Sequence, residues 1–105
     1  MIDFDQIEGF DWDAGNARKN EKHGVTQSEA EQVFFNEPLF ITADEEHSQS
    51  EHRYRAFGKT SNECLLTVIF TLRQNGSLLR VIPARDMNAK ERKLYENETE
   101  KNTQV

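Results

Sequence analysis

The chain has 105 residues, of which 35% are hydrophobic and 30% charged, with a net charge of −6 and a mean hydropathy of −0.85. This length predicts a single domain with one modest core. No apolar run approaches the ~18 residues that a membrane span needs, and no secretory signal is recognisable. The single cysteine, Cys64, excludes an internal disulfide framework and fits a reducing cytoplasm, where we expect the protein to be.

The charge is unevenly distributed along the chain. Residues 53–93 contain nine basic and three acidic residues, so this segment carries +6 within a protein of −6. Such a segment can form a positive patch on an acidic protein. The alternative is that these side chains are ordinary solvated faces of strands and helices.

The first part of the chain predicts a short strand and two helices. Aromatic and acidic residues alternate over residues 10–13, which is typical of a short strand. Asp13 can then cap a helix over residues 14–23, and Gly24 can adopt the positive φ that ends it. A second helix, with a better apolar stripe, is predicted over residues 27–35.

Four strands and a helix follow. The strands are predicted over residues 39–42, 52–59, 64–72 and 77–85. The strand that Cys64 opens is apolar on both faces, which predicts a central position in the sheet and a buried thiol. Asn75-Gly76 is a strong signal for a hairpin, and Asn88 with Glu91 predicts the start of a helix over residues 89–97.

This order of elements predicts an α+β fold. We expect an antiparallel four-stranded meander with a short N-terminal strand, two N-terminal helices and one C-terminal helix. The helices are expected to cover one face of the sheet. Residues 1–97 are predicted to form a single domain, and residues 98–105 a polar, disordered tail.

The segment Lys22-His23-Gly24-Val25-Thr26 combines the end of one helix with the start of the next. Thr26 and Glu29 form a capping box for the second helix. His23 is therefore held beside a tight corner, and histidine titrates near neutral pH, so it is a candidate acid or base. The alternative is that His23 only caps the helix end.

The sequence contains no P-loop, no dinucleotide-binding glycine pattern and no zinc motif. The three histidines, His23, His47 and His52, lack the spacing of a metal site, so we expect neither a metal nor another cofactor. The remaining chemistry is acid–base and cationic. Metal-free RNA cleavage needs a base for the ribose 2′-OH, cations for the charge on the phosphate and an acid for the leaving 5′-oxygen.

Candidates for these roles lie at the corner, on the strands and on the last helix. The candidate catalytic residues are His23, Arg53, Arg85 and Glu91. The candidate RNA-binding residues are Lys22, Arg55, Arg80, Arg92, Tyr95 and Trp12. Arginine matches phosphate oxygens, and aromatic rings can stack on unpaired bases. Ion pairing, capping and core packing are the structural alternatives, so the residues alone lead to a small α+β domain with a basic patch.

Several short stretches, in order along the chain, also carry a resemblance to a known family. They are Phe10–Asp13, Lys22–Val25, Glu29–Phe34, Glu37–Pro38, Asp44–Ser48, Glu51–Tyr54, Gly58–Thr60, Phe70–Thr71 and Arg80–Tyr95. On these stretches the sequence resembles the BrnT family of type II toxin–antitoxin toxins. The motifs Lys-His-Gly-Val and Ala-Arg-Asp-Met-Asn-Ala-Lys-Glu-Arg-Lys-Leu-Tyr are specific in combination.

The resemblance has implications for fold, activity and partners. It implies a RelE-like ribonuclease fold and translation inhibition by RNA cleavage. It also implies neutralisation by a BrnA-like antitoxin with a ribbon-helix-helix domain, so that the toxin contacts DNA only through the antitoxin. The complex would be dimeric or larger and would repress its own operon.

The family's motifs match individual positions of this chain. His23 lies on the Lys-His-Gly motif, Arg53 on a strand arginine and Arg85 on the arginine of a Ser-Ala-Arg segment in which Pro83 replaces the serine. The family's Glu-Arg-x-x-Tyr helix matches Glu91, Arg92 and Tyr95.

The resemblance therefore predicts a metal-independent endoribonuclease toxin. One alternative is an inactive toxin relative that binds an antitoxin and regulates its operon. The other alternative is an RNA-binding domain without chemistry.

Overall fold

The computed structural model describes residues 2–47 and 50–103. Within this part of the chain, three α-helices pack on a five-stranded mixed sheet. The elements are β1 (Gly9–Phe10), α1 (Ala14–Lys22), α2 (Gln27–Gln32), β2 (Phe40–Ala43), β3 (Tyr54–Lys59), β4 (Leu65–Arg73), β5 (Leu78–Asp86) and α3 (Ala89–Thr103). Short 3₁₀ turns lie at Phe4–Gln6 and Glu45–His47. No helix in these residues is long and apolar enough to cross a membrane.

The strands lie in the order β1-β5-β4-β3-β2. Neighbours from β2 to β5 pair antiparallel, whereas β1 pairs with β5 in parallel, with Gly9 opposite Leu78 and Phe10 opposite Leu79. The predicted α+β class is confirmed, and β2 to β5 form an antiparallel meander, but β1 adds a fifth strand in parallel, so the sheet as a whole is mixed and five-stranded. A two-residue strand is too short for its sequence pattern to indicate its neighbour or its direction.

The main core lies on the sheet face that α2 covers. Ala30 and Val33 of this region are fully buried against β-strand residues that include Val68 and Phe70. The rings of Phe34 and Phe70 meet edge to face with their centroids 5.2 Å apart. This is the helix stripe that the sequence predicts, although α2 itself ends at Gln32 rather than at residue 35.

The opposite sheet face carries α3. The ring of Tyr95 lies 5.5 Å from that of Phe40, and its hydroxyl donates to the carbonyl of Pro38 at 2.6 Å. The helices therefore cover both faces of the sheet, whereas the sequence predicts that they cover one. The helix also continues to Thr103 instead of ending at residue 97, so much of the predicted disordered tail is helical. Residues 104 and 105 of that tail lie outside the described part.

Most of the predicted caps and turns are present. The Asp13 carboxylate accepts from the backbone N–H groups of Gly15 and Asn16, and Gly24 has a φ of +74° at the end of α1. The capping boxes that start at Thr26 and Asn88 are both formed.

Two local predictions concern Cys64 and the segment before β3. The first is wrong, and the second lies partly outside the described residues. Cys64 is exposed instead of buried, because it lies in the turn before β4, where its N–H donates to the Thr60 hydroxyl. The segment between the predicted strands over residues 39–42 and 52–59 includes residues 48 and 49, which lie outside the described part, so this holds also for Ser48 of the matched family stretch.

Gly58 of β3 lies directly against Val33, the C-terminal cap residue of α2. A Cβ atom at Gly58 would lie 2.7 Å from Cγ1 of the fully buried Val33. We expect Gly58→Ala to lower the free energy of unfolding by about 1–3 kcal/mol, measured by urea denaturation. Gly9→Ala is the control, because its Cβ would meet only Leu78 at an ordinary 3.8 Å. Equal stability of the two variants would contradict the close packing.

Candidate functional site

Two buried asparagines fix α1 along the edge of β5. Because β1 pairs with the first two residues of β5, the rest of that edge has no neighbouring strand among residues 2–47 and 50–103. The Asn16 amide donates to the carbonyl of Val81 at 3.0 Å, and the Asn20 side-chain oxygen accepts from the N–H of Ala84 at 2.9 Å. Their spacing of four residues puts them on one face of α1. Sequence reasoning missed both, since asparagines in a charged helix resemble surface residues.

A polar cleft of about 250 Å³ opens where α1 meets the sheet. Its lining residues are Gly15, Asn16, Lys19, Glu51, Arg53, Arg73, Arg80 and Ile82. Four of these side chains are basic: Lys19 lies on α1, Arg53 directly before β3, Arg73 at the end of β4 and Arg80 on β5. We call this group the cationic cleft.

Carboxylates orient the arginines of the cationic cleft. Glu51 lies 3.7 Å from the guanidinium of Arg53 and 3.3 Å from that of Arg73. Arg80 pairs with Asp13 at 3.0 Å and with Asp11 at 3.5 Å. A backbone hydrogen bond from Asn16, together with Arg80, lowers the pKa of Asp13. Because Glu51 is bound between two guanidinium groups, the cleft can accept the anionic oxygens of a ligand.

The predicted corner continues from this cleft along α1. Lys22 and His23 follow Lys19 by three and four residues, so the three side chains lie on one side of the helix, spread over about 6 Å of its axis. His23 is the C-terminal cap residue of α1 and is exposed. Its backbone N–H donates to the carbonyl of Asn20, the residue that binds β5. The edge contact of Asn20 therefore also places His23.

Arg85 and Glu91 form a two-pronged ion pair between β5 and α3. The two guanidinium nitrogens donate to the two carboxylate oxygens at 2.7 and 2.9 Å. Glu91 also accepts from the Thr67 hydroxyl and from the N–H of Asn88, each at 3.0 Å. The hydrogen bonds from Arg85, then those from Asn88 and Thr67, lower the pKa of Glu91 to about 2. A carboxylate with these properties orients Arg85 and is a weak base at neutral pH.

The remaining predicted residues contact protein groups outside the cleft. Arg55 pairs with the buried Asp44 at 3.1 Å, and the Trp12 indole donates to Glu31 at 2.8 Å. Arg92 donates to the carbonyl of Met87 at 3.3 Å, and burial raises the pKa of Tyr95.

Part of the predicted set is thus brought together around the cationic cleft. Of the predicted site residues, Arg53 and Arg80 line it, and Lys22 and His23 lie on the helix that leads from it. Sequence reasoning missed Lys19 and Arg73. Lys19 is one of several basic residues on a polar helix and Arg73 is a basic residue at a strand end, and neither position by itself indicates a binding site. In the described residues, no group of three or more His, Cys, Asp or Glu side chains could hold a metal ion.

These features define a small α+β protein with a cationic cleft between a helix and the sheet. Residues 12–91 match the model of a family described as ribonuclease toxin, BrnT, of type II toxin–antitoxin systems. The match covers most of the chain, so the chain belongs to this family and the resemblance drawn from its motifs is confirmed. Ribonuclease toxins of type II systems act on RNA and are paired with an antitoxin. No curated protein matches the chain significantly.

The Arg85–Glu91 pair predicts a specific loss of stability in acid. Because the pKa of Glu91 in the folded protein, about 2, lies below the 4.5 of an ordinary glutamate, the stabilisation from the ion pair is present above pH 4.5 and is lost as the pH falls towards 2. We expect the wild type to lose about 2 kcal/mol more unfolding free energy than Glu91→Gln between pH 5 and pH 2, measured by urea denaturation.

The control for this prediction is Glu98→Gln, which removes a half-exposed carboxylate from the same helix. This variant should follow the wild-type pH profile. A Glu91→Gln profile parallel to that of the wild type would show that the ion pair does not stabilise the fold.

Proposed function

We propose that the protein is a metal-independent endoribonuclease that inhibits translation by cleaving RNA in the cytoplasm, on a RelE-like fold. A BrnA-like antitoxin with a ribbon-helix-helix domain would neutralise it in a dimeric or larger complex. The observation that carries the proposal is the cationic cleft beside the helix that ends in His23. Family membership supports the ribonuclease class.

The cationic cleft would bind the RNA backbone. Arg53, Arg73 and Arg80 offer planar guanidinium groups, which match phosphate oxygens better than an ammonium does. A bound phosphate would take the position of the Glu51 carboxylate between two of them. Lys19 and Lys22 would then follow the strand along α1 towards His23.

His23 would transfer the protons of the reaction. As a base, its imidazole would take the proton of a ribose 2′-OH, whose oxygen attacks the adjacent phosphorus. The bond to the 5′-oxygen then breaks, which leaves a 2′,3′-cyclic phosphate and a 5′-hydroxyl after that oxygen is protonated. Arg53 in the cleft and Arg85 outside it would stabilise the negative charge of different phosphates along the strand. Glu91 would orient Arg85, and Arg92 would be an additional cation.

Cleavage of a single-stranded RNA in EDTA tests the proposal. We expect His23→Ala to lower kcat about 100-fold or more with little change in RNA affinity, because it removes a proton-transfer group. Arg73→Ala should instead weaken RNA binding. The control is Lys93→Ala, which removes an exposed lysine of α3 that does not line the cleft. Cleavage by His23→Ala at the wild-type rate would remove His23 from the mechanism.

A second candidate function is RNA or antitoxin binding without catalysis. The observation that favours it is that the His23 side chain makes no hydrogen bond to any described residue, so nothing fixes its ring. Salt-dependent RNA binding without products, together with the absence of growth arrest on expression, would select this function over the nuclease.

Glu51 gives a separate prediction for RNA affinity. Its carboxylate competes with phosphate for Arg53 and Arg73, so Glu51→Gln should tighten RNA binding about two- to fivefold at low salt, measured by fluorescence anisotropy. Glu63→Gln is the matched control, because it removes a carboxylate that pairs with Lys59 outside the cleft. Weaker binding by Glu51→Gln would mean that the glutamate organises the cleft rather than competing with its ligand.

A further inference from the structure

Strand β2 lies at the end of the sheet, and β3 is its one neighbour in the described chain. The N–H of Asp44 donates to the carbonyl of Arg53. This bond determines which residues of β2 have backbone groups that face β3 and which have groups that face away. In an antiparallel pair, alternate residues bond to the neighbour, so the backbone groups of Ile41 and Ala43 point away from β3. Such an edge can pair with another extended chain.

An apolar cleft lies on each side of this edge. On the α2 side of the sheet, a cleft of about 280 Å³ is lined by Ile2, Phe4, Ile41, Thr42, Ala43 and Tyr54. On the α3 side, a cleft of about 220 Å³ is lined by Phe40, Thr42, Phe57, Glu91, Leu94, Tyr95 and Glu98. Thr42 lines both clefts, so they meet at the edge of β2.

Two of the three exposed large hydrophobic residues in the described chain border this edge, while the third, Phe35, also packs against Phe10 of β1 at the opposite end of the sheet. In the described residues they are Phe4, Phe35 and Leu94, with 40%, 75% and 56% of their surface exposed. Phe4 lies in the first cleft and Leu94 in the second, and Phe35 lines a groove that continues to Phe40 at the start of β2. Exposed apolar residues grouped in this way mark an interaction surface.

The charges around the edge indicate what can bind there. Exposed carboxylates lie before β2, at Glu37, and after it, at Glu45 and Glu46, and Glu98 lines the second cleft. If two copies of this chain paired antiparallel through β2 with Ile41 opposite Ile41, Glu37 of one copy would face Glu45 of the other. Like charges in opposite positions are unfavourable, so the surface fits a basic partner better than a second copy.

We propose that the β2 edge binds an extended segment of a partner protein by strand addition. The segment would have about four consecutive apolar residues, to match the four residues of β2, and lysine or arginine on both flanks. Its side chains would point alternately into the two clefts. Because both clefts are apolar, every residue of the run would be apolar rather than every second one. The cationic cleft lies on the α1 and β5 side of the sheet, so the bound segment leaves it open.

Peptide binding to the full chain tests this inference without RNA, and it is therefore independent of the catalytic proposal. The probe is a fluorescent peptide with two lysines, the run Val-Ile-Val-Ile and two arginines. The comparison peptide has glutamates in place of the four basic residues. We expect saturable binding of the basic peptide and at least tenfold weaker binding of the acidic one.

Two pairs of variants locate the bound peptide. Ala43→Pro removes an outward N–H group that β3 does not use, while Ala43→Val changes the side chain and keeps the N–H. Leu94→Glu places a charge in the second cleft from an exposed helix position, and Gln27→Glu adds the same charge to an exposed position that lines neither cleft. We expect at least tenfold weaker binding for Ala43→Pro and Leu94→Glu, and wild-type affinity for the two controls.

The alternative outcomes each overturn the inference. Wild-type affinity of Leu94→Glu and of a folded Ala43→Pro would show that the peptide binds elsewhere, and no saturable binding would exclude strand addition of this chemistry. Sedimentation analysis measures whether the protein is a dimer. If the wild type is a dimer and Ala43→Pro is a monomer, a second copy of the chain occupies the β2 edge.

Discussion

The packing of the helices on the sheet depends on two asparagine side chains of α1. They hydrogen-bond to the edge of β5, in the place where a neighbouring strand would lie. An unsatisfied buried backbone group costs about 1–3 kcal/mol, and beyond the residues paired with β1 the Val81 carbonyl and the Ala84 N–H of β5 need hydrogen-bond partners. Asn16 and Asn20 satisfy them from α1 and are almost fully buried in doing so. The buried amide nitrogen of Asn20 has no hydrogen-bond partner in the described structure. Burying this group lowers the stability that the contact of Asn20 with β5 contributes. Because α1 has little apolar surface, these bonds determine where it lies.

The position of α1 in turn creates the cationic cleft. Lys19 faces the arginines of the sheet only because the helix follows the β5 edge, and His23 is placed by the same turn of helix. The other two helices have different roles. The first sheet face holds the main core under α2, while the second is attached to α3 through the Arg85–Glu91 pair and Tyr95. A helix at the edge thus leaves both faces free for packing.

The distribution of charge explains how an acidic protein can present a basic site. The basic segment over residues 53–93 does not form one patch, since Arg55 and Arg85 are paired with carboxylates outside the cleft. Arg53, Arg73 and Arg80 converge because their positions on adjacent strands lie on the same sheet face. The exposed carboxylates around β2 are on the opposite edge of the sheet. The two edges therefore differ in charge, which is why we propose an anionic ligand for one and a basic apolar segment for the other.

The sequence by itself determined the local structure: the α+β class, the capping boxes at Thr26 and Asn88, the turn at Gly24, and the family through its motifs. The caps and the turn depend on contacts between residues close together in the sequence, so local patterns of residue types predict them. Only the tertiary structure decided that β1 pairs in parallel with β5, that α3 covers the second face and that Asn16 and Asn20 are buried. It also decided which of the basic residues meet. The reason is physical: pairing and burial between distant segments depend on the open hydrogen-bonding groups of the whole sheet, which no local pattern specifies.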